Sequence, residues 1–427
     1  MHYLMKTYFL SLLPTFLSAF KAYWNFPSET CQQKYKIDFD KYEVETNAGL
    51  KFFGDKVALF YESKFGLYPY YKDYDENKPV NGGTPQNCTL NDHLEVAKKN
   101  ITTQTEDNFN GLGVIDLEEW RPIYEQNVYK KEVYKNASLK LANGDPVKAK
   151  SDFDQAARNF FVETVRMARA ERKTGKWGYY GFPYCNYNAG ATGDRECRND
   201  YRKWNDDMMF FYNETTAFYP STYFSFVASP MQRYLYVKAV LNETRRINEA
   251  LQRSIPIYLY ITIEYKPKTE LDSFYDDADL CSAIKQPADM GVDGIILWSS
   301  SSNMSKRCEK IKNAMENRIG EKIQKTVEGH AKCRKEKCNE NGKCVRKGDT
   351  HCIVLSLHWH EVLGMNAFEA MIPINEALRE VYNCLRKKRG ASAAKTGVSI
   401  RMIMNANATS VTLVNFARKQ LQPLQQR

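Results

Sequence analysis

After its first 22 residues the chain has no apolar run long enough to cross a bilayer, which takes about 20 residues. A multi-pass membrane protein is therefore excluded. No internal repeat and no sustained heptad pattern is present, which excludes solenoids and coiled coils. No Gly-rich phosphate loop follows the first strand-like segment, which weighs against an open, doubly wound nucleotide-binding sheet. Clustered basic residues occur only in the tail from Lys387 onward, whereas a nucleic-acid-binding protein would carry such an element in its folded part. Full-length disorder is excluded by composition, since 43% of residues are hydrophobic and 26% charged.

What is present is a 427-residue chain with a net charge of +10, from 61 Lys plus Arg against 51 Asp plus Glu. That excess suits a polyanionic partner, and serves equally well as solvation charge. Aromatic residues make up 13%, including 28 Tyr. A Tyr-rich chain can line a polar, sugar-like cleft or fill a core.

Residues 1–22 read as a signal peptide. Lys6 supplies the basic start, Tyr8 to Phe20 the short apolar region, and Ser18, Ala19 and Ala22 the small residues near a cleavage point. A retained anchor is the alternative. Seven Asn-x-Ser/Thr sequons begin at Asn87, Asn100, Asn136, Asn213, Asn242, Asn303 and Asn407, more than chance supplies in a chain of this length. With 11 Cys, they indicate a glycosylated protein of the secretory route, secreted or lysosomal, in which cysteines form disulfides before they bind metal.

Short apolar runs alternate with helical patterns. Val57 to Tyr61, Gly113 to Leu117, Trp177 to Phe182, Phe218 to Phe226, Ile255 to Ile263 and Gly294 to Trp298 read as strands. Asp152 to Ala170, Met231 to Arg253 and Leu271 to Met290 read as helices. Strand–helix alternation over this length predicts an α/β fold, a parallel (β/α) TIM-like barrel. An open doubly wound sheet is the alternative. The expected parts are a leader at 1–22, a barrel at 23–330, a Cys-rich module at 331–386 and a basic, weakly patterned tail at 387–427.

The sharpest chemical signal is GLGVIDLEEWRPIY, Gly111 to Tyr124. Asp116 and Glu118 stand two apart at a strand end, so both point to one face about 6.5 Å apart along the strand. Barrel enzymes keep their sites at this end of the strands. Two close carboxylates repel, one is held protonated more readily, and such a group can serve as a general acid for glycosidic cleavage. Solvated acids at a strand end give the same spacing without the chemistry.

The residues behind the pair decide between these readings. VIDLEEWRP resembles the catalytic signature of the hyaluronidases, glycoside hydrolase family 56. YWNFPSETC (Tyr23 to Cys31), FYESKFGLYP (Phe60 to Pro69), NGGTPQ (Asn81 to Gln86), WGYYGFPYC (Trp177 to Cys185), YPSTY (Tyr219 to Tyr223) and GIILWSSS (Gly294 to Ser301) resemble further family segments in the same order. The resemblance covers roughly residues 22–345. It implies a distorted (β/α) barrel that hydrolyses β-1,4-N-acetylhexosaminidic bonds of hyaluronan or chondroitin, with retention, by a substrate-assisted route.

By that resemblance Glu118 matches the proton donor and Asp116 the carboxylate that orients the substrate acetamido group. Tyr180 and Tyr223 match the site tyrosines, and Trp298 the aromatic platform under a sugar ring. Arg121, Tyr61, Glu62, Ser299 and Ser300 are further candidates for substrate contact. The distance rule for two catalytic carboxylates does not apply to a pair of which only one acts on the bond. The chain departs from the family pattern at Cys185-Asn186-Tyr187-Asn188, where an aromatic is displaced, and at Leu117, where an aromatic is common.

The resemblance also implies disulfides Cys31–Cys308, Cys185–Cys197 and Cys333–Cys344, the last opening an EGF-like appendage that lacks the usual closing run. Cys352 and Cys384 are candidates to pair with Cys338, and Cys88 with Cys281. A zinc site from the cysteines of 333–352 with His351, His358 or His360 is the alternative use of that stretch. No cofactor and no metal are expected. The partner is a glycosaminoglycan polymer, with no nucleic acid and no integral membrane span, and the protein is expected to be a monomer. A non-catalytic glycosaminoglycan-binding barrel is the reading from another class.

Overall fold

The computed structural model describes residues 19–352, together with a short antiparallel pair, Ser399–Ile400 with Asn415–Phe416. Most of the leader, Cys384, Asn407 and the basic tail apart from that pair lie outside the described residues. Ten strands precede Cys352: β1 Lys21–Trp24, β2 Val44–Thr46, β3 Val57–Tyr61, β4 Tyr70–Tyr71, β5 Pro79–Val80, β6 Leu112–Asp116, β7 Lys176–Tyr179, β8 Ser221–Thr222, β9 Tyr258–Ile261 and β10 Gly294–Leu297.

Two parallel sheets form the wall of a barrel, ordered β2-β1-β10-β9-β8 and β3-β6-β7. One seam is bridged by Tyr180 pairing in parallel with Tyr219, between the ends of β7 and β8. The other lies between β2 and β3 and is stitched by one buried side chain. Asn47 accepts from the Lys56 and Val57 amides at 3.0 Å each and donates to the Val57 carbonyl at 2.8 Å. An amide side chain thus replaces a missing stretch of ladder. β4 and β5 form an antiparallel pair in the loop after β3.

Side-chain alternation separates two cores. Val57, Leu59, Leu112, Val114, Tyr219, Tyr258 and Ile296 fill the interior. Ala58, Phe60, Ile115, Leu117, Leu259, Ile295 and Leu297 face the surrounding helices. Where β7 meets β8 only glycine fits, because a Cβ on Gly178 would sit 2.1 Å from the Ala217 carbonyl oxygen.

The helix Pro146–Glu171 starts earlier than the apolar period suggests. Asp145 caps it by accepting from Val147 and Lys148, and Pro146 occupies the first turn, where its missing N–H is no loss. Pro230–Ala250 begins with a capping box between Ser229 and Gln232. The helix expected over 271–290 is shorter. Phe274 pairs antiparallel with Glu264, and helix starts only at Asp277, where the Asp276 carboxylate accepts from the Asp279 amide.

β1 starts before the boundary expected at 22/23. Lys21 and Ala22 pair with Gly294 and Ile295, so a leader ending at Ala22 would remove half the strand. At the other end the helix Gly320–Cys338 runs unbroken through the boundary expected at 330/331 and packs on the barrel through Ile323 and Val327. No EGF-like hairpin occurs among the described residues after 331. Cys31 is bonded to Cys308, Cys185 to Cys197, and Cys333 to Cys344. Two expected partners are exchanged: Cys281 bonds Cys352, which leaves Cys88 as a thiol donating to the Leu67 carbonyl, and Cys338 is also a thiol. Cys333, Cys344 and Cys352 are in disulfides and so are lost as ligands to the alternative zinc site, of which His358 and His360 lie outside the described residues.

The sequon asparagines Asn87, Asn136, Asn213 and Asn303 are exposed. Asn100 and Asn242 are half-buried, and their amides are engaged with the Gly66 N–H and the Arg195 carbonyl. Among the described residues no helix is long and apolar enough to cross a membrane.

Candidate active site

The top inward tier of the barrel differs in kind from those below it. Continuing Val57, Leu59 gives Tyr61. Continuing Leu112, Val114 gives Asp116, and continuing Ile296 gives Trp298. Tyr180 and Tyr223 join them from the ends of β7 and β8, and together these side chains line a cleft of about 470 Å³. Glu118 lines it from the position two beyond Asp116, as strand alternation requires, while Leu117 is buried in the outer core.

Asp116 is buried, and its Oδ1 has no hydrogen-bond partner. Burial, and then the charges of Glu118 and Glu62, push its pKa well above the usual carboxylate range, against an opposing pull from Arg121. An unpaired buried carboxylate oxygen aimed into a cleft is costly to the folded state and is ready for a donor from outside. Glu118, by contrast, is exposed.

The backbone carrying Glu118 is held from two sides. The Glu62 carboxylate accepts from the Glu118 and Glu119 amides at 2.6 and 3.1 Å. The Lys131 ammonium donates to the Glu118 and Glu119 carbonyls at 2.6 and 2.8 Å. Burial raises the Glu62 pKa to about 7, with help from the Glu119 and Glu118 charges and against its two amide bonds. Burial, and then Arg121, lower that of Lys131 to about 8. Behind them Trp120 is fully buried, stacked on Tyr68 at 5.3 Å and donating to the Pro69 carbonyl at 2.8 Å. It locks the turn that carries the acids.

The opposite wall is aromatic. Trp298 lies nearly parallel to Tyr223, with ring centroids 5.6 Å apart and planes at 11°, and its indole N–H donates to the Tyr61 hydroxyl at 2.7 Å. Tyr180 packs edge-on to Tyr260 and its hydroxyl is hydrogen-bonded to that of Tyr223. Burial holds both phenols of this pair far above their ordinary pKa, so they stay protonated hydrogen-bond donors.

Below Trp298 sits an ion pair with both side chains buried, Glu264 with Arg307. Arg307 bonds both Glu264 oxygens and donates to the Ser300 carbonyl at 2.7 Å. Ser299 completes the network, donating to Glu264 at 2.9 Å and accepting from Arg307. The loop after Trp298 is thereby fixed.

Of the expected contacts, Tyr61 and Ser300 line the cleft. Ser299 is buried in the Glu264–Arg307 network. Glu62 holds the Glu118 backbone, and Arg121 lies against Tyr184, its guanidinium 4.3 Å from the ring and bonded to the hydroxyl. These three sit behind the lining rather than on it. Tyr187, from the segment that departs from the family pattern, is exposed and lines the cleft. Lys131, Glu264 and Arg307 are missing from the sequence reading. No motif spacing marks them, since each finds its partner across the fold. Among the described residues no three His, Cys, Asp or Glu side chains gather to hold a metal.

The sequence model of the hyaluronidase family matches residues 13–381. A chondroitin hydrolase of Caenorhabditis elegans is 36% identical over 334 residues, 75% of this chain and 73% of its own. The Homo sapiens hyaluronidase PH-20 is 33% identical over 76% of this chain and 66% of its own, and a hyaluronidase of Echis ocellatus 31% over 77% of each. The crystal structure of bee venom hyaluronidase superposes with a TM-score of 0.64 at 28% identity, covering 71% of this chain and 99% of that one. A second structure of that enzyme, in complex with a hyaluronic acid tetramer, superposes equally well.

Proposed function

The chain belongs to the hyaluronidase family, and on that premise we propose that it is a retaining glycoside hydrolase, an endo-β-N-acetylhexosaminidase that cleaves β-1,4 bonds of hyaluronan. The observation that carries the reading is the buried, unpartnered Oδ1 of Asp116 beside the exposed Glu118 in a cleft walled by Trp298 and Tyr223. An N-acetylhexosamine ring stacks its C–H face on Trp298. Its acetamido N–H donates to Asp116 Oδ1, and Tyr180 and Tyr223 hold the group for attack.

In the first step Glu118 gives its proton to the glycosidic oxygen as the acetamido oxygen bonds the anomeric carbon and the glycosidic bond breaks. An N–H donor at Oδ1 favours the Asp116 anion over its protonated form. The positive charge that develops on the acetamido group is stabilised by the Asp116 carboxylate. In the second step the Glu118 carboxylate takes a proton from water, which opens the cyclic intermediate from the face the leaving group left. Two displacements at one carbon give net retention. Trp298 and Tyr61 shape the subsite, while Arg121, Glu62 and Ser299 act from behind.

A second reading, preference for chondroitin, is favoured by the 36% identity to a chondroitin hydrolase. The protein acts as a monomer of the secretory route, its leader ending before Lys21, with glycans on Asn87, Asn136, Asn213 and Asn303. The Cys333–Cys344 bridge belongs to a diverged Cys-rich module. Reducing-end release from hyaluronan and chondroitin at acid and neutral pH tests the function. Cleavage that Glu118→Gln abolishes supports it, and wild-type protein that binds both polymers and cleaves neither makes it a glycosaminoglycan-binding barrel.

A further inference from the structure

The cleft poses an electrostatic problem for any polyanionic substrate. Three of its lining residues are acids, Asp116, Glu118 and Glu264. Arg307 neutralises Glu264, which leaves the charge of the Asp116–Glu118 pair facing a polymer that is itself negative. Among the described residues, the cationic side chains that line the cleft are Lys266 and Lys268, on the segment after β9.

Their mounting is built rather than loose. The Tyr265 amide donates to the Ser273 carbonyl at 2.7 Å and the Glu270 amide to the Lys266 carbonyl at 2.8 Å, closing the arm on itself. Pro267 stiffens the link between the lysines. The Tyr265 hydroxyl is bonded to the buried Asp279 carboxylate, which also pairs with Arg233, and the Arg233 guanidinium lies 4.8 Å from the Tyr265 ring. Lys266 is paired with Glu270 at 2.6 Å, but both side chains are half exposed, so that pair is weak and exchangeable. Lys268 has no carboxylate partner among the described residues, although it lies on a well-braced turn.

Resting on the function proposed above, we propose that Lys266 and Lys268 form an anion-reading arm, which binds a negatively charged substituent of the sugar chain beside the reacting hexosamine and so sets which glycosaminoglycan is preferred. Two sources share that chemistry. A uronate carboxylate is present in every candidate polymer, and a sulfate ester only in sulfated chondroitin.

The test measures both binding and turnover of hyaluronan, unsulfated chondroitin, chondroitin 4-sulfate and chondroitin 6-sulfate. It compares the wild type with Lys268→Ala, Lys268→Arg and the double variant Lys266→Ala/Lys268→Ala. The arm predicts that Lys268→Ala raises KM about 3- to 10-fold while kcat stays within about twofold, that Lys268→Arg restores most of the loss, and that the double variant flattens the salt dependence of binding. A rise on all four polymers identifies the carboxylate, and a rise confined to the sulfated pair identifies the sulfate ester. Unchanged KM and unchanged binding in the double variant on every polymer overturn the arm. Absence of turnover in the wild type overturns the hydrolase reading instead. The arm is then judged by binding alone, and loss of polymer affinity in the double variant supports it.

Discussion

Two buried carboxylates face the same cleft and are treated in opposite ways. Glu264 is fully paired: Arg307 bonds both its oxygens, and the Ser299 hydroxyl adds another donor. Asp116, on the other side of the barrel mouth, has an Oδ1 with nothing attached and two acidic neighbours that raise its pKa further. The first arrangement makes a wall, because a buried charge held by three donors on both its oxygens is locked in place. The second makes a binding site, because the satisfaction it lacks must come from a ligand. Two neighbouring groups extend the contrast. Glu62 and Lys131 hold the backbone of Glu118 while leaving its side chain exposed to the cleft.

The largest expected effect sharpens the comparison on the reactive side. Glu118→Gln should lower kcat by roughly 100- to 10,000-fold, the usual worth of a positioned general acid. Its thermal midpoint should not move, since the side chain is exposed. Turnover and calorimetry on one preparation check both halves.

Breaking the paired side comes next. Arg307→Met leaves Glu264 buried and alone, which costs about 3–5 kcal/mol of stability. Denaturant unfolding should show the midpoint fall, and activity measured well below that midpoint should fall less steeply than in Glu118→Gln.

A pH measurement separates the clamp from both. The Glu62 pKa is raised to about 7, so its ionisation opposes folding. That penalty is absent below the ordinary carboxylate pKa of about 4.3 and grows as pH rises towards 7, reaching about 2–3 kcal/mol. Glu62→Gln should therefore flatten the loss of stability between pH 4.5 and 7, read from thermal midpoints in a buffer series. A steeper decline in the variant contradicts this assignment.

The smallest effect belongs to Lys131, whose ammonium titrates at about 8. Above that pH the Glu118 and Glu119 carbonyls lose a charged donor, worth about 1 kcal/mol, and kcat should fall several-fold. Lys131→Arg keeps its charge and should move that limb of the pH profile upward by at least one unit.

Much of the fold was legible because it is local. β3 spans the residues that its apolar run predicted, and β6, β9 and β10 differ by a few residues at their ends. The run at 218–226 contracts to Ser221–Thr222 plus bridges at Phe218 and Tyr219, because Pro220 donates no hydrogen bond to a ladder. β2 carries no apolar signal of its own, and its seam depends on Asn47, whose partners lie up to ten residues on. In the site, Asp116 and Glu118 were legible from strand alternation, and Tyr180, Tyr223 and Trp298 from resemblance alone. Glu264 and Arg307 were not, since a pair separated by 43 residues leaves no local pattern. Nor was the exchange of cysteine partners, which depends on Cys281 and Cys352 meeting in space.

The most direct test of the contrast between the two carboxylates is Asp116→Asn beside Glu264→Gln, with thermal midpoint and hyaluronan turnover measured for each at neutral pH. If Asp116 is kept unpaired for the substrate, its amide variant should be as stable as the wild type or more so, because the cost of ionising a buried, unpaired carboxyl is gone, while turnover falls at least 100-fold. Glu264→Gln should lose stability by a few kcal/mol. A fall in the midpoint of Asp116→Asn as large as that of Glu264→Gln, with turnover retained, would contradict the account and make Asp116 one more part of the wall.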